Sequence, residues 1–141
     1  MDAAAADRVR QRAAFRCEYC LVPEELSALR FHVEHIIARQ HGGDDEEANL
    51  ALACPECNWR KGTNLTNLTS LDPDTGLVTT LFHPRLHLWA AHFDVEGTRI
   101  MGLSAIGRTT VWLLEWNGPA RLHHRAWLVR LRQWPAANPP T

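Results

Sequence analysis

The sequence predicts an α+β fold. A small metal-held core of two short strands and a helix is followed by an appended hairpin and two further helices. Three observations support this. Two C-x2-C units, Cys17–Cys20 and Cys54–Cys57, stand 33 residues apart, as the two halves of one metal knot do. Between them, Leu29-Arg-Phe-His-Val-Glu-His35 alternates with the period of a strand, and Asn49-Leu-Ala-Leu-Ala53 reads as a second one. Elsewhere, helical spacing with start and stop residues recurs near the N-terminus and twice after residue 104.

At 141 residues and 45% hydrophobic content, the chain suits one compact domain or a small module with an appendage. No apolar run reaches membrane-spanning length. The first residues lack the basic start and apolar stretch of a secretory signal, so a cytoplasmic protein is expected, with cysteines serving metal rather than disulfides. The net charge of −1 is unevenly spread: residues 1–97 carry 9 basic and 15 acidic side chains, residues 98–141 carry 6 and 1. The arginine groups 8/10/12/16 and 121/125/130/132 either track phosphates or form solvated helix faces. Composition permits DNA binding without arguing for it.

In chain order, Asp2 to Arg16 reads as a helix with Asp7 as a cap, covering residues 1–16. The core follows at 17–70. The strand ending at His35 carries His32 and Glu34 on one face, Gly42-Gly43 and Asp44–Glu47 form a loop, and Cys54-Pro55 opens a helix through Lys61. Two residues between cysteines let both sulfurs reach one tetrahedral ion at about 2.3 Å, and two such pairs fill the coordination of Zn2+. Cys17, Cys20, Cys54 and Cys57 are therefore expected to hold a structural zinc.

Glu34, His35, Asn49 and Asn58 form a second candidate group. A carboxylate and an amide oxygen are hard ligands suited to Mg2+ or Mn2+, and a neutral imidazole beside them can take a proton from water. Adjacent strand residues point to opposite faces, so Glu34 and His35 share a site where the strand ends or bends.

In this order and between these cysteines, the residues resemble the HNH nuclease family. The match runs over Cys17-x-x-Cys20, Glu34-His35-Ile36-Ile37, Gly42-Gly43, Asn49-Leu50 and Cys54-x-x-Cys57-Asn58-x-x-Lys61-Gly62, about a third of the chain. The resemblance implies a ββα-metal core and hydrolysis of DNA phosphodiester bonds to 5′-phosphate and 3′-hydroxyl ends. It implies that Glu34 and Asn58 bind a single divalent ion, Mg2+ by default, that His35 activates water, and that Asn49 holds the imidazole. Two departures are minor: many members have Asp at the position of Glu34 and Pro at that of Ala38. Arg60, Lys61 and His41 are candidate nucleic-acid contacts. His32 is left outside the core set.

Residues 71–134 are read as an extension. It comprises a turn at Asp72–Gly76, a strand over 77–82, a hairpin turning at Glu96-Gly97, a helix from Ser104 to Trp116 and a last helix from about Ala120 to Trp134. Asn64 to Ser70 reads as a polar loop, and 135–141 as a disordered tail. Trp112, Trp116, Trp127 and Trp134 are expected to pack in the core, and His83, His87 and His92 to occupy loop or edge positions rather than a further zinc set. The rival to a nuclease is a zinc-stabilised nucleic-acid-binding module without catalysis. The oligomeric state has no signature in the sequence.

Overall fold

The computed structural model describes residues 1–62 and 69–136. Helix α1 (Ala3–Arg12) is capped by Asp2, whose Oδ1 accepts from the Ala5 N–H at 2.7 Å. The cap is therefore Asp2 rather than Asp7, and the helix stops at Arg12 rather than Arg16. Ala14 and Phe15 take positive φ (53° and 57°), and the Phe15 N–H returns to the Arg10 carbonyl at 3.0 Å. That reversal aims the chain into the first cysteine pair.

Strands β1 (His32–His35) and β2 (Leu50–Ala53) pair antiparallel, with Glu34 opposite Ala51 and His35 opposite Leu50. β1 begins later than the alternation suggested, because the Phe31 N–H is taken at 2.7 Å by the Glu24 carboxylate, itself clamped by Arg10. Helix α2 (Pro55–Lys61) follows β2 directly and packs on β1, with Pro55 in its first turn, where no amide hydrogen is needed.

Strands β3 (Thr69–Leu71) and β4 (Val78–Thr80) form a second antiparallel pair. The polar stretch read as a loop thus ends in a strand, because backbone pairing to β4 does not need apolar side chains. The rest of that stretch, 64–68, lies outside the described residues, as do residues 137–141 of the expected tail. The turn at Asp72–Gly76 is present, and it has a partner that the sequence did not show. The buried Asp72 carboxylate accepts from Arg108 Nη2 at 2.7 Å and Nε at 3.1 Å.

Helix α3 (Trp89–His92) leads into the hairpin β5 (Phe93–Glu96) and β6 (Arg99–Gly102). Helix α4 (Ala105–Leu113) is capped by Ser104 and lies on this hairpin so closely that a Cβ on Gly107 would sit 2.0 Å from the His92 carbonyl oxygen. Helix α5 (Pro119–Arg130) completes the chain. Both last helices end before the tryptophans that were expected to close them, at residues in left-handed conformation (Glu115, Arg132). Trp116 and Trp134 consequently turn inward and are buried, whereas Trp112 and Trp127 stay largely exposed, contrary to the expected packing.

One buried cluster runs from Val9 through Tyr19, Phe31 and Leu52 to Trp116, Leu128 and Trp134. The second half of the chain braces the first cysteine pair: Trp89 Nε1 donates to the Tyr19 carbonyl at 2.7 Å and Trp134 Nε1 to that of Cys20 at 3.0 Å. The N-terminal arginines are spent on the same bracing. Arg8 pairs with Glu47, Arg12 donates to the carbonyls of Glu47 and Leu50, and Arg16 to those of Leu21 and Gln133. They form no free basic face.

His87 and His92 pack against Phe82 with their rings 5.1 Å apart, His83 packs against His87 at 6.4 Å, and the three do not converge as a metal set among the described residues. Burial, and then the neighbouring His87 and Lys61, lower the His83 pKa; burial and then His92 lower that of His87. Above the unfolded value of about 6.5 both states are neutral and no stability is lost. Below it the unfolded chain takes up protons that the folded chain resists, so stability falls. The thermal midpoint should therefore drop between pH 7 and pH 5, and His87→Gln should flatten that slope.

Candidate functional site

The four cysteines converge from two knuckles. Backbone N–H groups of Cys20 and Cys57 point at the sulfurs of Cys17 and Cys54, at 3.5 and 3.4 Å, so each C-x2-C turn is closed on its own first sulfur. All four thiols are buried and their sulfurs lie within 4.8 Å of one another. Cys20 Sγ and Cys54 Sγ are 3.7 Å apart. Tetrahedral sulfurs about 2.3 Å from zinc sit about 3.8 Å apart, so the donor set is compatible with a structural Zn2+. Burial pushes the Cys17 thiol well above its ordinary pKa, which makes a cluster of thiolates without a cation unfavourable.

Arg121, from α5, adds a positive charge beside the sulfurs. Its Nη2 donates to Cys57 Sγ at 3.0 Å and approaches Cys54 Sγ at 3.8 Å. Burial works against the guanidinium, but the thiolates of Cys57, Cys20 and Cys54 outweigh it and raise its pKa above the ordinary value. The sequence placed Arg121 in an arginine group that tracks phosphates or faces solvent, and gave no sign of this contact, 64 positions from Cys57. Removing such an outer partner costs a metal site about 10–100-fold in affinity. Arg121→Met should lose zinc to a chromogenic chelator correspondingly faster, and an unchanged release rate would show the contact to be idle.

Glu34 faces α2. Its carboxylate accepts from Lys61 Nζ at 2.9 and 3.2 Å and from the Tyr19 hydroxyl at 2.5 Å. Burial and then Glu34 raise the Tyr19 pKa well above its ordinary value, so that hydroxyl remains a donor. Lys61 is only 4% exposed and also donates to the Ile36 carbonyl at 3.1 Å. This corrects its expected part as a phosphate contact, because the buried carboxylate and carbonyls draw the ammonium inward.

His35 stands at the end of β1 and turns the other way. Its Nε2 lies 2.8 Å from Asp45 Oδ1, while Arg39 Nη2 is 2.6 Å from both oxygens of that carboxylate. The Met1 amino group and the His35 ring, with Arg39, hold the Asp45 carboxyl well below the usual range. Arg39 Nε lies 3.4 Å from the same ring nitrogen, so Nε2 faces both a carboxylate and a guanidinium, the carboxylate being nearer. The Glu34 carboxylate and the His35 ring thus have different partners among the described residues, although Lys61 Nζ also reaches the His35 carbonyl at 3.5 Å.

The structure also differs from expectation at Asn49. Its amide does not reach the imidazole but spans the loop behind it. Oδ1 accepts from the Ile37 N–H at 2.9 Å, and Nδ2 donates to the carbonyls of Ile37 at 3.0 Å and Asp44 at 2.9 Å. The loop is drawn so tight that a Cβ on Gly43 would lie 1.7 Å from the Ile37 oxygen. Asn49→Ala should remove three bonds worth roughly 1 kcal/mol each, about 3 kcal/mol in all, read as a lower midpoint in urea unfolding.

Asn58 is half-buried on α2, one turn before Lys61, and lines a groove that also contains His32. No hydrogen bond joins its side chain to Glu34 or His35 among the described residues. Arg60 is ion-paired with Glu56 (3.4 Å) and Glu115 and lies 5.3 Å from the Trp59 ring. His41 is half-buried beside Gln40, at 3.3 Å. Tyr19 and Asp45 were missed from the sequence. Tyr19 stood between two cysteines, and Asp45 in an acidic run that looked like solvated surface.

Residues 17–64 match the family model described as HNH endonuclease. No curated protein and no solved structure matches the chain. The matched segment begins at Cys17 and takes in β1, β2 and α2, so the cysteine cluster, Glu34, His35, Asn49 and Asn58 all lie inside it.

Proposed function

We propose that the chain is a divalent-metal-dependent endonuclease of the HNH type that hydrolyses DNA phosphodiester bonds, on a ββα core held by structural zinc. The observation that carries this reading is the coincidence of the matched segment with a cysteine cluster that ties β2 and α2 to the first knuckle. Within that frame, β1 presents Glu34 to the helix that bears Asn58.

The candidate donors fit a hard divalent ion: one carboxylate, one amide oxygen, with water and phosphate oxygens completing six positions. Glu34 and Asn58 would hold it, and when bound it supplies positive charge beside the scissile phosphate. Lys61 now neutralises Glu34, so any cation there has to share that carboxylate with the ammonium.

His35 is the proton acceptor. Asp45 fixes its Nε2–H, leaves Nδ1 to receive a proton from water, and stabilises the imidazolium that results. Asn49 and Gly43 act one step back. They hold the 37–44 loop so that Asp45 meets the ring.

One observation favours a second reading, a zinc-stabilised nucleic-acid binder without catalysis. Glu34 and His35 engage different partners, and Glu34 already has a cation. Zinc-loaded protein incubated with supercoiled plasmid separates the two. Nicking that requires added Mg2+ or Mn2+ supports the enzyme. An intact plasmid under every divalent ion, with DNA still bound, supports the binder.

A further inference from the structure

Beside Asn58 lies a groove of about 610 Å³ between α2, the segment preceding β1 and α5. Its walls are apolar, formed by Leu29, Phe31 and Pro55, and its rim is the Trp59 indole, which is 74% exposed. Polar side chains line it at Asn58, His32, Glu56 and His124, and Arg121 and Arg125 reach it from α5. Packing among the described residues does not account for an indole so open to water, and a cavity of this size accepts a flat ligand of modest dimensions.

We propose that this groove receives an unpaired nucleobase next to the scissile phosphate, stacked against Trp59. The proposal rests on the nuclease reading, because it places the base within reach of Asn58. The chemistry selects the occupant. An aliphatic chain would bury the amide of Asn58 and the His32 imidazole without partners, at a cost for each. A heteroaromatic base offers an apolar face to Leu29, Phe31 and Trp59 and a hydrogen-bonding edge to the polar side chains. In an intact duplex that edge is paired and both faces are stacked, so the groove selects single-stranded or locally opened nucleic acid. Arg60, lying against the Trp59 ring, restrains the platform before the base arrives.

The test is binding of fluorescein-labelled oligonucleotides to zinc-loaded protein without Mg2+ or Mn2+, followed by anisotropy. Three probes of one length are compared: a single strand, the blunt duplex, and a single strand with abasic sites throughout. Wild-type protein should prefer the base-bearing strand to both others. Trp59→Ala, at an exposed position that leaves the fold intact, should weaken binding to that strand about 5- to 150-fold and leave binding to the abasic strand unchanged. Equal loss on both strands, or no loss on either, overturns the proposal. Trp59-dependent base binding without plasmid cleavage would overturn the nuclease reading and leave the groove standing. Cleavage with Trp59→Ala binding every probe as wild type would do the reverse.

Discussion

Stripping zinc from Cys17, Cys20, Cys54 and Cys57 with a strong chelator is expected to unfold the matched segment, with loss of far-ultraviolet dichroism that returns when zinc is restored. Structural zinc contributes about 10–16 kcal/mol, comparable with the whole stability of a small domain. The strands here are four residues long, and the first knuckle is attached to β2 through Glu18, whose backbone N–H reaches the Leu52 carbonyl at 2.8 Å. Without the ion, four buried sulfurs lose the cation that holds them together, and Glu18, Trp89 and Trp134 have no ordered knuckle to hold. Cys57→Ser should behave like the chelated protein. An unchanged melting curve at zero zinc content would remove the metal from the account of this fold.

His35→Ala is expected to lower plasmid nicking by about 10²- to 10⁴-fold, the contribution of a positioned general base, while zinc content and DNA binding stay as in wild type. The imidazole sits at the end of β1 and its ring meets Asp45 and Arg39 near the surface, so its removal opens no cavity in the core. Asp45→Asn should fall between the two. The ring remains, but an amide no longer selects the Nε2–H tautomer or stabilises the charged imidazole. The variants are compared by single-turnover nicking at saturating protein. Undiminished nicking by His35→Ala would assign proton abstraction to another group, with His32, on the Glu34 face of β1, the candidate.

Much of the site was legible because it is local. The spacing of Cys17, Cys20, Cys54 and Cys57 is itself a statement about geometry, since two residues between sulfurs fix their separation. The β1–β2–α2 order followed from alternation, from Gly42-Gly43 and from Pro55 after Cys54. The misplaced boundaries have local causes too. Ala14 and Phe15 adopt a left-handed conformation that their side chains do not advertise, and Thr69–Leu71 pairs through its backbone alone.

The sequence by itself determined the cysteine cluster, the two strands and helix it ties together, and the identity of Glu34, His35, Asn49 and Asn58 as chemically capable groups. The tertiary structure alone decided what those groups touch. Lys61 lies inward on Glu34, Asp45 rather than Asn49 meets His35, Arg121 sits against the thiolates, and Trp89 and Trp134 brace the knuckle. The contacts of Arg121, Trp89 and Trp134 each join residues more than sixty positions apart, and Asn49 meets backbone groups of Ile37 and Asp44 in place of the expected imidazole. A side chain's residue type sets which partners it can satisfy; burial and the path of the backbone set which one it meets, and neither is written in the spacing of the motif.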